Sequence, residues 1–291
     1  MTSKDNKITY TWRGFMEKNT ALISIFDGKT LSGWHSAPRL PVPHAPGEPG
    51  PDKTSEAYRQ VAQTSGKWTV EDGAITGRQD PPGCGFGGYL ISDEVYGDFE
   101  LIFEARPDWP ADTGIMVRAS SLGSQGFQIL LDHRRSGNIG GFYGNGIGGF
   151  HGINFTLDAE YDEQGNPVGL KLEDPANSIE SITPDKPALL KYAATGEQFL
   201  SIWKWDEWNE FRIHVEGACP RITVHINGSK ISEIDTASLQ HPSYNASAVR
   251  ELLGPKGHIA FEVHDNDPFM GAARWAPEAA CRWRNIRIRE I

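Results

Sequence analysis

The residues of this 291-residue chain best suited to chemistry are histidines and carboxylates on strand-like segments. In the run His258-Ile-Ala-Phe-Glu-Val-His264, His264 shares parity with Glu262 and His258, so a strand would turn all three to one face. An imidazole titrates near neutrality and can take up or return a proton, and a carboxylate two residues away can orient it. The competing reading is a histidine that is simply packed or solvated. A second face groups Gly114, Met116 and Arg118 on one segment with Gln128, Leu130 and Asp132 on the next, opposite Ile115, Val117, Ile129 and Leu131. If the apolar sets face the core, Arg118, Gln128 and Asp132 share the other face. A structural ion pair between Arg118 and Asp132 is the alternative there. His133 follows at the strand end, where alternation can break.

Residues 132–155 hold eight glycines in 24 positions, together with Phe142, Tyr143, Phe150 and His151. The run contains Gly144-x-Gly146-x-Gly148-Gly149, but no strand-then-helix context surrounds it, so the dinucleotide fingerprint is rejected. Aromatic faces can cover the apolar face of a pyranose and glycines let a backbone approach, which suits a sugar rim. A loop without a ligand is the other reading. Trp34, Trp109, Trp203, Trp205 and Trp275 could also stack on sugars, although tryptophans more often pack in a core or its rim. No HExxH occurs, and Asp265-Asn266-Asp267 lacks the glycine and terminal glutamate of a calcium loop. A divalent metal assembled from distant strands, such as Asp132 with His264 and Glu262, stays open on spacing alone.

The elements that must position these residues are strands. Phe99, Leu101, Phe103 and Ala105 alternate with Glu100, Ile102, Glu104 and Arg106; residues 211–216, 221–226 and 258–264 alternate likewise. Asn227-Gly228 and Asp72-Gly73 are hairpin turns, since a type I′ turn needs positive φ at both central residues. Parity slips between Trp283 and Ile286, which predicts a bulge near Arg284-Asn285. Two short helices are predicted, at 55–63 and 247–253, each with a capping residue before it and a glycine behind. Residues 38–51 hold six prolines and read as a stiff surface loop. Antiparallel hairpins without regular intervening helices predict an all-β antiparallel sandwich. The expected organisation is an extension over 1–21 and one sandwich domain over 22–291, with a loop insertion at about 156–200.

Composition narrows the partners. Glycine, at 32 residues, exceeds the usual share of about 7% without a triplet period, which points to turns and bulges. A net charge of −10 argues against a nucleic-acid partner, because phosphate affinity rests on clustered Lys and Arg. Cys84, Cys219 and Cys281 form no CxxC pair and fit a reducing compartment. No apolar run approaches the length of a signal core or a membrane span. The sequence as it stands is therefore expected to be cytoplasmic, or periplasmic or secreted if a leader has been removed.

Seven motifs then occur in order: Phe26-Asp-Gly-Lys-Thr-Leu-Ser-Gly-Trp34, Trp68-Thr-Val-Glu-Asp-Gly-Ala-Ile-Thr-Gly77, Tyr96-Gly-Asp-Phe-Glu-Leu101, Thr113-Gly-Ile-Met-Val-Arg118, Trp208-Asn-Glu-Phe-Arg-Ile213, Ile226-Asn-Gly228 and Arg284-Asn-Ile-Arg-Ile288. Together they resemble the 3-keto-disaccharide hydrolase domain family, from about residue 22 to 291. The resemblance implies a concanavalin- or laminarinase-like jelly roll with the sugar site on its concave sheet. Relatives often carry a histidine at the position of His264. They commonly carry Glu-x-Gln-x-x-Asp where this chain has Phe127-Gln128-Ile-Leu-Leu-Asp132, so that glutamate has no counterpart here.

The activity this implies is cleavage of the glycosidic bond of a 3-keto sugar. A ketone at C3 acidifies the C2 hydrogen, so a base can remove it, a cation can hold the enolate oxygen and an acid can protonate the departing oxygen. His264 is expected as base or acid, oriented by Glu262, with Arg118 as the oxyanion anchor. Asp132 and His133 are the second acid/base candidates or metal ligands. Gln128, Tyr143, Phe142, His151 and Trp34 are the expected substrate contacts. Two rivals stand beside this reading: a two-carboxylate glycosidase, for which no Glu-x-Asp-x-x-Glu run appears, and a non-catalytic carbohydrate-binding module.

Overall fold

The structure, a computed structural model, describes residues 21–291, so nearly all of the expected extension lies outside the described residues. Two antiparallel sheets pack face to face. The larger runs from Leu190–Ala193 through Ser229–Asp235, Arg221–Ile226, Asn209–Glu216, Phe99–Pro107, Cys281–Glu290 and Ala74–Arg78 to Lys67–Glu71, with Ile23–Ser24 pairing beside Cys281–Glu290. The smaller runs from His151–Gly152 through Ile139–Asn145, Gly126–His133, Ala111–Ala119, His258–Val263 and Gly88–Ser92 to Trp34–Pro38. This is the antiparallel sandwich that the alternation predicts, and it agrees with the jelly-roll type that the resemblance implies.

The alternation works as side-chain parity requires. Phe99, Leu101, Phe103 and Ala105 are wholly buried between the sheets. Phe261 of the smaller sheet meets Phe103, Trp34 and Trp283 at ring-centroid distances of 5.7, 5.4 and 4.9 Å. Such aromatic pairs contribute about 1 kcal/mol each beyond the area they bury. On the opposite face of Phe99–Pro107, Glu104 and Glu100 accept from Arg284 and Arg289 at 2.7 and 2.6 Å. This outer face of the larger sheet is therefore a solvated ion-pair ladder, where each pair contributes at most about 1 kcal/mol.

Turn chemistry sets the register. Asn227-Gly228 and Asp72-Gly73 both have positive φ and close their hairpins. The register shifts between Arg284 and Arg287 with Asn285 at φ 53°, the bulge expected from the parity slip. The first predicted helix spans Glu56–Val61 behind the Ser55 cap. The second spans Ala246–Leu253 behind the Asn245 cap. Residues 156–200 carry the hairpin Leu157–Tyr161 with Pro167–Leu172 and the edge strand Leu190–Ala193. Among the described residues no helix is long and apolar enough to cross a membrane.

The smaller sheet positions the site. Its strands Ala111–Ala119 and Gly126–His133 are buried on both faces along their whole length. The proline-rich segment and the glycine-rich turn cover part of its outer face. Gly148 donates its N–H to the carbonyl of His44 at 2.8 Å. A Cβ on Gly149 would lie 2.3 Å from the His44 ring, and one on Gly146 would lie 2.8 Å from Val42. Both glycines also hold positive φ, so they serve close packing of two loops.

Candidate functional site

A polar cavity of about 410 Å³ opens on the outer face of the smaller sheet. The central strands build its floor. Asp112 and Asp132 are cross-strand partners, as are Gly114 and Leu130, and Met116 and Gln128. Asp112 accepts from Arg134 Nε at 2.6 Å and from Arg274 Nε at 2.7 Å. Gln128 donates to Glu262 Oε2 at 2.6 Å, and Arg39 Nε donates to Glu262 Oε1. Arg39 also donates to Asp265 Oδ1 at 2.6 Å, and Arg274 to Asp267 Oδ2 at 2.6 Å.

The partners of His264 define its protonation. Its Nδ1 lies 2.7 Å from the carbonyl oxygen of Asp265, which can only accept. Its Nε2 lies 2.8 Å from Arg39 Nη2 and 3.0 Å from Arg274 Nη2, which can only donate. The ring is thus the Nδ1–H tautomer, with the Nε2 lone pair aimed at two guanidiniums. Glu262 lies two residues back but does not touch the ring; it anchors Arg39, which does. Its orienting effect runs through that guanidinium.

The two aspartates are shifted in opposite directions. Burial alone would raise the Asp112 carboxyl, but the charges of Arg134 and Arg274 outweigh it and hold it well below the ordinary carboxylate range. Burial, reinforced by the charge on Asp112, pushes the Asp132 carboxyl well above that range. Like charges this close resist ionising together, so of the pair Asp132 is the one disposed to hold a proton, toward Asp112. At the next carboxylate, burial is likewise overcome by the Arg39 charge and by the Nδ1–H of His264, 3.1 Å away, which hold Asp265 well below the usual range.

The far wall carries His151 and Tyr143, Cα partners whose rings meet edge to face at 5.8 Å. His151 Nδ1 lies 3.3 Å from Glu180, which also pairs with Lys186. The His151 hydrogen bond, aided by Lys186 against partial burial, holds the Glu180 carboxyl down at about 2.

Of the residues predicted from sequence, the structure brings His264, Asp132, Gln128, Tyr143 and His151 to the cavity wall, with Glu262 buried directly behind it. Four do not join them. Arg118 sits at φ 50°, beside a register shift between His258 and Ala260, so alternation fails at this residue. Its guanidinium is buried elsewhere, donating to Asp98 at 2.8 Å and to the carbonyls of Pro255 and Gly217. His133 keeps odd parity and points away from Asp132 into a cage of Trp109, Trp203 and Trp205. Burial pushes its imidazole down to about 4 even though Nδ1 bonds the Asp108 carbonyl. Phe142 faces the core, because its neighbour Tyr143 takes the outward position. Trp34 stacks on Phe261 and donates to the Ile25 carbonyl at 2.9 Å.

The position of Arg118 has a measurable consequence. Arg118→Ala is expected to lower unfolding free energy by about 3 kcal/mol, because it strips Asp98 and two carbonyls of a buried donor. Turnover per folded molecule is expected to stay at the wild-type level. Thermal melts beside steady-state kinetics check this, and a selective loss of turnover would return Arg118 to the site.

Sequence reasoning passed over Arg39, Asp112, Arg134, Arg274, Glu180 and Asp265. Parity held a signal for two of them, since Asp112 matches Gly114 and Met116, and Arg134 follows Asp132 by two. Arg39, Arg274 and Glu180 come from irregular segments, where no period applies. Among the described residues no group of three or more His, Cys, Asp and Glu side chains is arranged to hold a metal ion. Glu262, Asp112 and Asp265 instead face guanidiniums.

The chain is similar to several solved structures. A candidate glycosyl hydrolase from Parabacteroides distasonis ATCC 8503 aligns at 13% identity over 94% of this chain and 95% of its own, with TM-score 0.46. The carbohydrate-binding module CBM66 from Bacillus subtilis aligns at 11% identity over 77% and 90%, with TM-score 0.41. The metal-free carbohydrate recognition domain of Emp46p aligns at 10% identity over 92% and 93%, with TM-score 0.40. Likeness at this level transfers no activity. No curated protein matches the chain significantly. The model of the 3-keto-alpha-glucoside-1,2-lyase-like domain matches residues 21–289, and the chain belongs to that family.

Proposed function

We propose that this protein cleaves the glycosidic bond of 3-keto-glucosides by proton chemistry at C2. The observation that carries the reading is one cavity in which a basic imidazole nitrogen, a proton-holding aspartate and three guanidiniums converge. His264 Nε2 removes the C2 proton of the keto sugar. The electron pair of that C–H bond forms a C2–C3 double bond, and charge moves to the C3 oxygen. Arg39 and Arg274 already flank Nε2, so the atom that loses its proton and the oxygen that gains charge lie beside the right partners. The enolate then re-forms the ketone, makes a C1–C2 double bond and expels the glycosidic oxygen. Asp132 supplies the proton for that oxygen; the charge it is left with is met by Arg134, 3.9 Å away, and by the proton now on His264, while Asp112 stays paired with Arg134 and Arg274. Water then adds across C1–C2, its oxygen to C1 with its proton passing to Asp132, and His264 returns its proton to C2, which completes a net hydrolysis and restores both residues.

The two-carboxylate rival fits the geometry poorly. A retaining glycosidase sets its carboxyls about 5 Å apart across the scissile bond, and an inverting one sets them farther. Asp112 and Asp132 are hydrogen-bonded to each other, which leaves no room for a bond between them.

Incubation with a 3-keto-glucoside and its unoxidised parent tests the reading. Turnover of the keto compound alone is expected. Cleavage of both would favour the two-carboxylate enzyme, and binding of both without turnover would favour a carbohydrate-binding module.

A further inference from the structure

A second cavity, of about 380 Å³, adjoins the polar one and shares Arg39, Tyr143, Asn145 and Asp265 with it. Resting on the reading that the polar cavity holds the keto sugar ring, we propose that this neighbour is an aglycone subsite built for an apolar, aromatic group rather than a second sugar. The shared edge means that a leaving group attached to a sugar in the first cavity projects into the second.

Beyond that edge the wall changes character. It consists of Leu40, Pro41, Val42, Pro43, Val61 and Gly146, with His44 and the wholly buried Tyr89, whose hydroxyl already accepts from Asn145 at 3.3 Å, as the polar side chains. A pyranose in such a site would bring several hydroxyls, and each hydroxyl buried without a partner loses its hydration uncompensated. The backbone offers little in return. Pro38, Pro41, Pro43 and Pro46 have no N–H, the Leu40 N–H is spent on the Pro38 carbonyl at 2.9 Å, and the His44 carbonyl accepts from Gly148. An aromatic group needs no such partners and gains by covering proline and valine carbons.

The wall is also fixed before any ligand arrives. Prolines restrict the segment, and the glycine-rich turn packs against it at Gly146 and Gly149, where a Cβ would collide with Val42 and His44. A subsite that is already shaped loses little entropy on binding, so its preference should appear in affinity.

The test compares benzyl, methyl and glucosyl 3-keto-glucosides of one anomer. Benzyl and methyl alkoxides leave with similar ease, which keeps leaving-group chemistry out of the benzyl–methyl comparison. The benzyl compound is expected to show a KM about tenfold lower than either of the others. Val42→Asp and Val61→Asp, each checked for folding by thermal melting, are expected to bring the benzyl-to-methyl ratio of kcat/KM close to one. Equal KM values across the three compounds, or an unchanged ratio in both variants, would overturn the subsite. If no keto compound turns over, the functional reading fails separately, and calorimetry with unoxidised benzyl and methyl glucosides decides the subsite. Tighter benzyl binding that is lost in Val42→Asp supports it, and equal binding sinks it.

Discussion

His264→Ala is expected to lower kcat on a 3-keto-glucoside by about 10³-fold with KM little changed, because a positioned general base contributes on the order of 10² to 10⁴. The lost group is the Nε2 lone pair, the cavity's neutral imidazole acceptor held between two guanidiniums. Folding should survive the change. Arg39 keeps Glu262 and Asp265, Arg274 keeps Asp112 and Asp267, and the freed donors face a solvent-accessible cavity, so the stability cost is about 1–2 kcal/mol. Hydrogen exchange at C2, followed in heavy water with a substrate whose leaving group departs slowly, isolates the step. The variant should lose that exchange along with turnover, and added imidazole should restore part of both. A variant that exchanges C2 hydrogen at the wild-type rate would show that the base lies elsewhere.

Asp132→Asn is expected to lower kcat by about 10²-fold for sugar or alkyl leaving groups and only a few-fold for 4-nitrophenoxide, which departs without a proton. That contrast separates an acid from a residue that merely holds the sheet together. In the wild type, activity on alkyl glycosides should fall as pH rises through the raised value at which Asp132 loses its proton; the variant should lack that limb. The same shift fixes a stability effect of known sign. A carboxyl raised in the folded state contributes fully below its unfolded value near 4 and loses that contribution as pH rises through the folded value. At pH 8 the wild type therefore carries a cost that the neutral, isosteric amide removes, and Asn can still donate to Asp112. The variant is expected to melt no lower than the wild type at pH 8 while being far less active. A variant that melts lower at pH 8 and is equally slow on both leaving groups would make Asp132 structural.

These two residues were legible because each lies on or directly after a strand whose apolar half is unmistakable. Ile129 and Leu131 fix the parity of Asp132, and Phe261 with Val263 fixes that of His264. The same rule misplaced Arg118, because a positive φ and a register shift invert parity without a mark in the sequence. At His133 the alternation in fact runs to the strand end, and the parity of Ile129 and Leu131 carries the side chain away from Asp132 into the tryptophan cage. Trp34 and Phe142 illustrate a further limit. Aromatic composition does not distinguish a ring that faces sugar from one that fills the space between sheets.

The sequence by itself determined the strands, the tight hairpins, the bulge before Ile286 and the face on which His264 and Asp132 stand. Each of these depends on local periodicity or on backbone conformations that few residues tolerate. Only the tertiary structure decided what surrounds them. Arg39 follows the first strand of the smaller sheet, Arg274 comes from a loop ten residues past His264, and Glu180 comes from between the sheet strands. Their convergence is long-range electrostatics, in which buried carboxylates take whatever guanidiniums folding brings within reach. Strand periodicity carries no information about which loop will supply them.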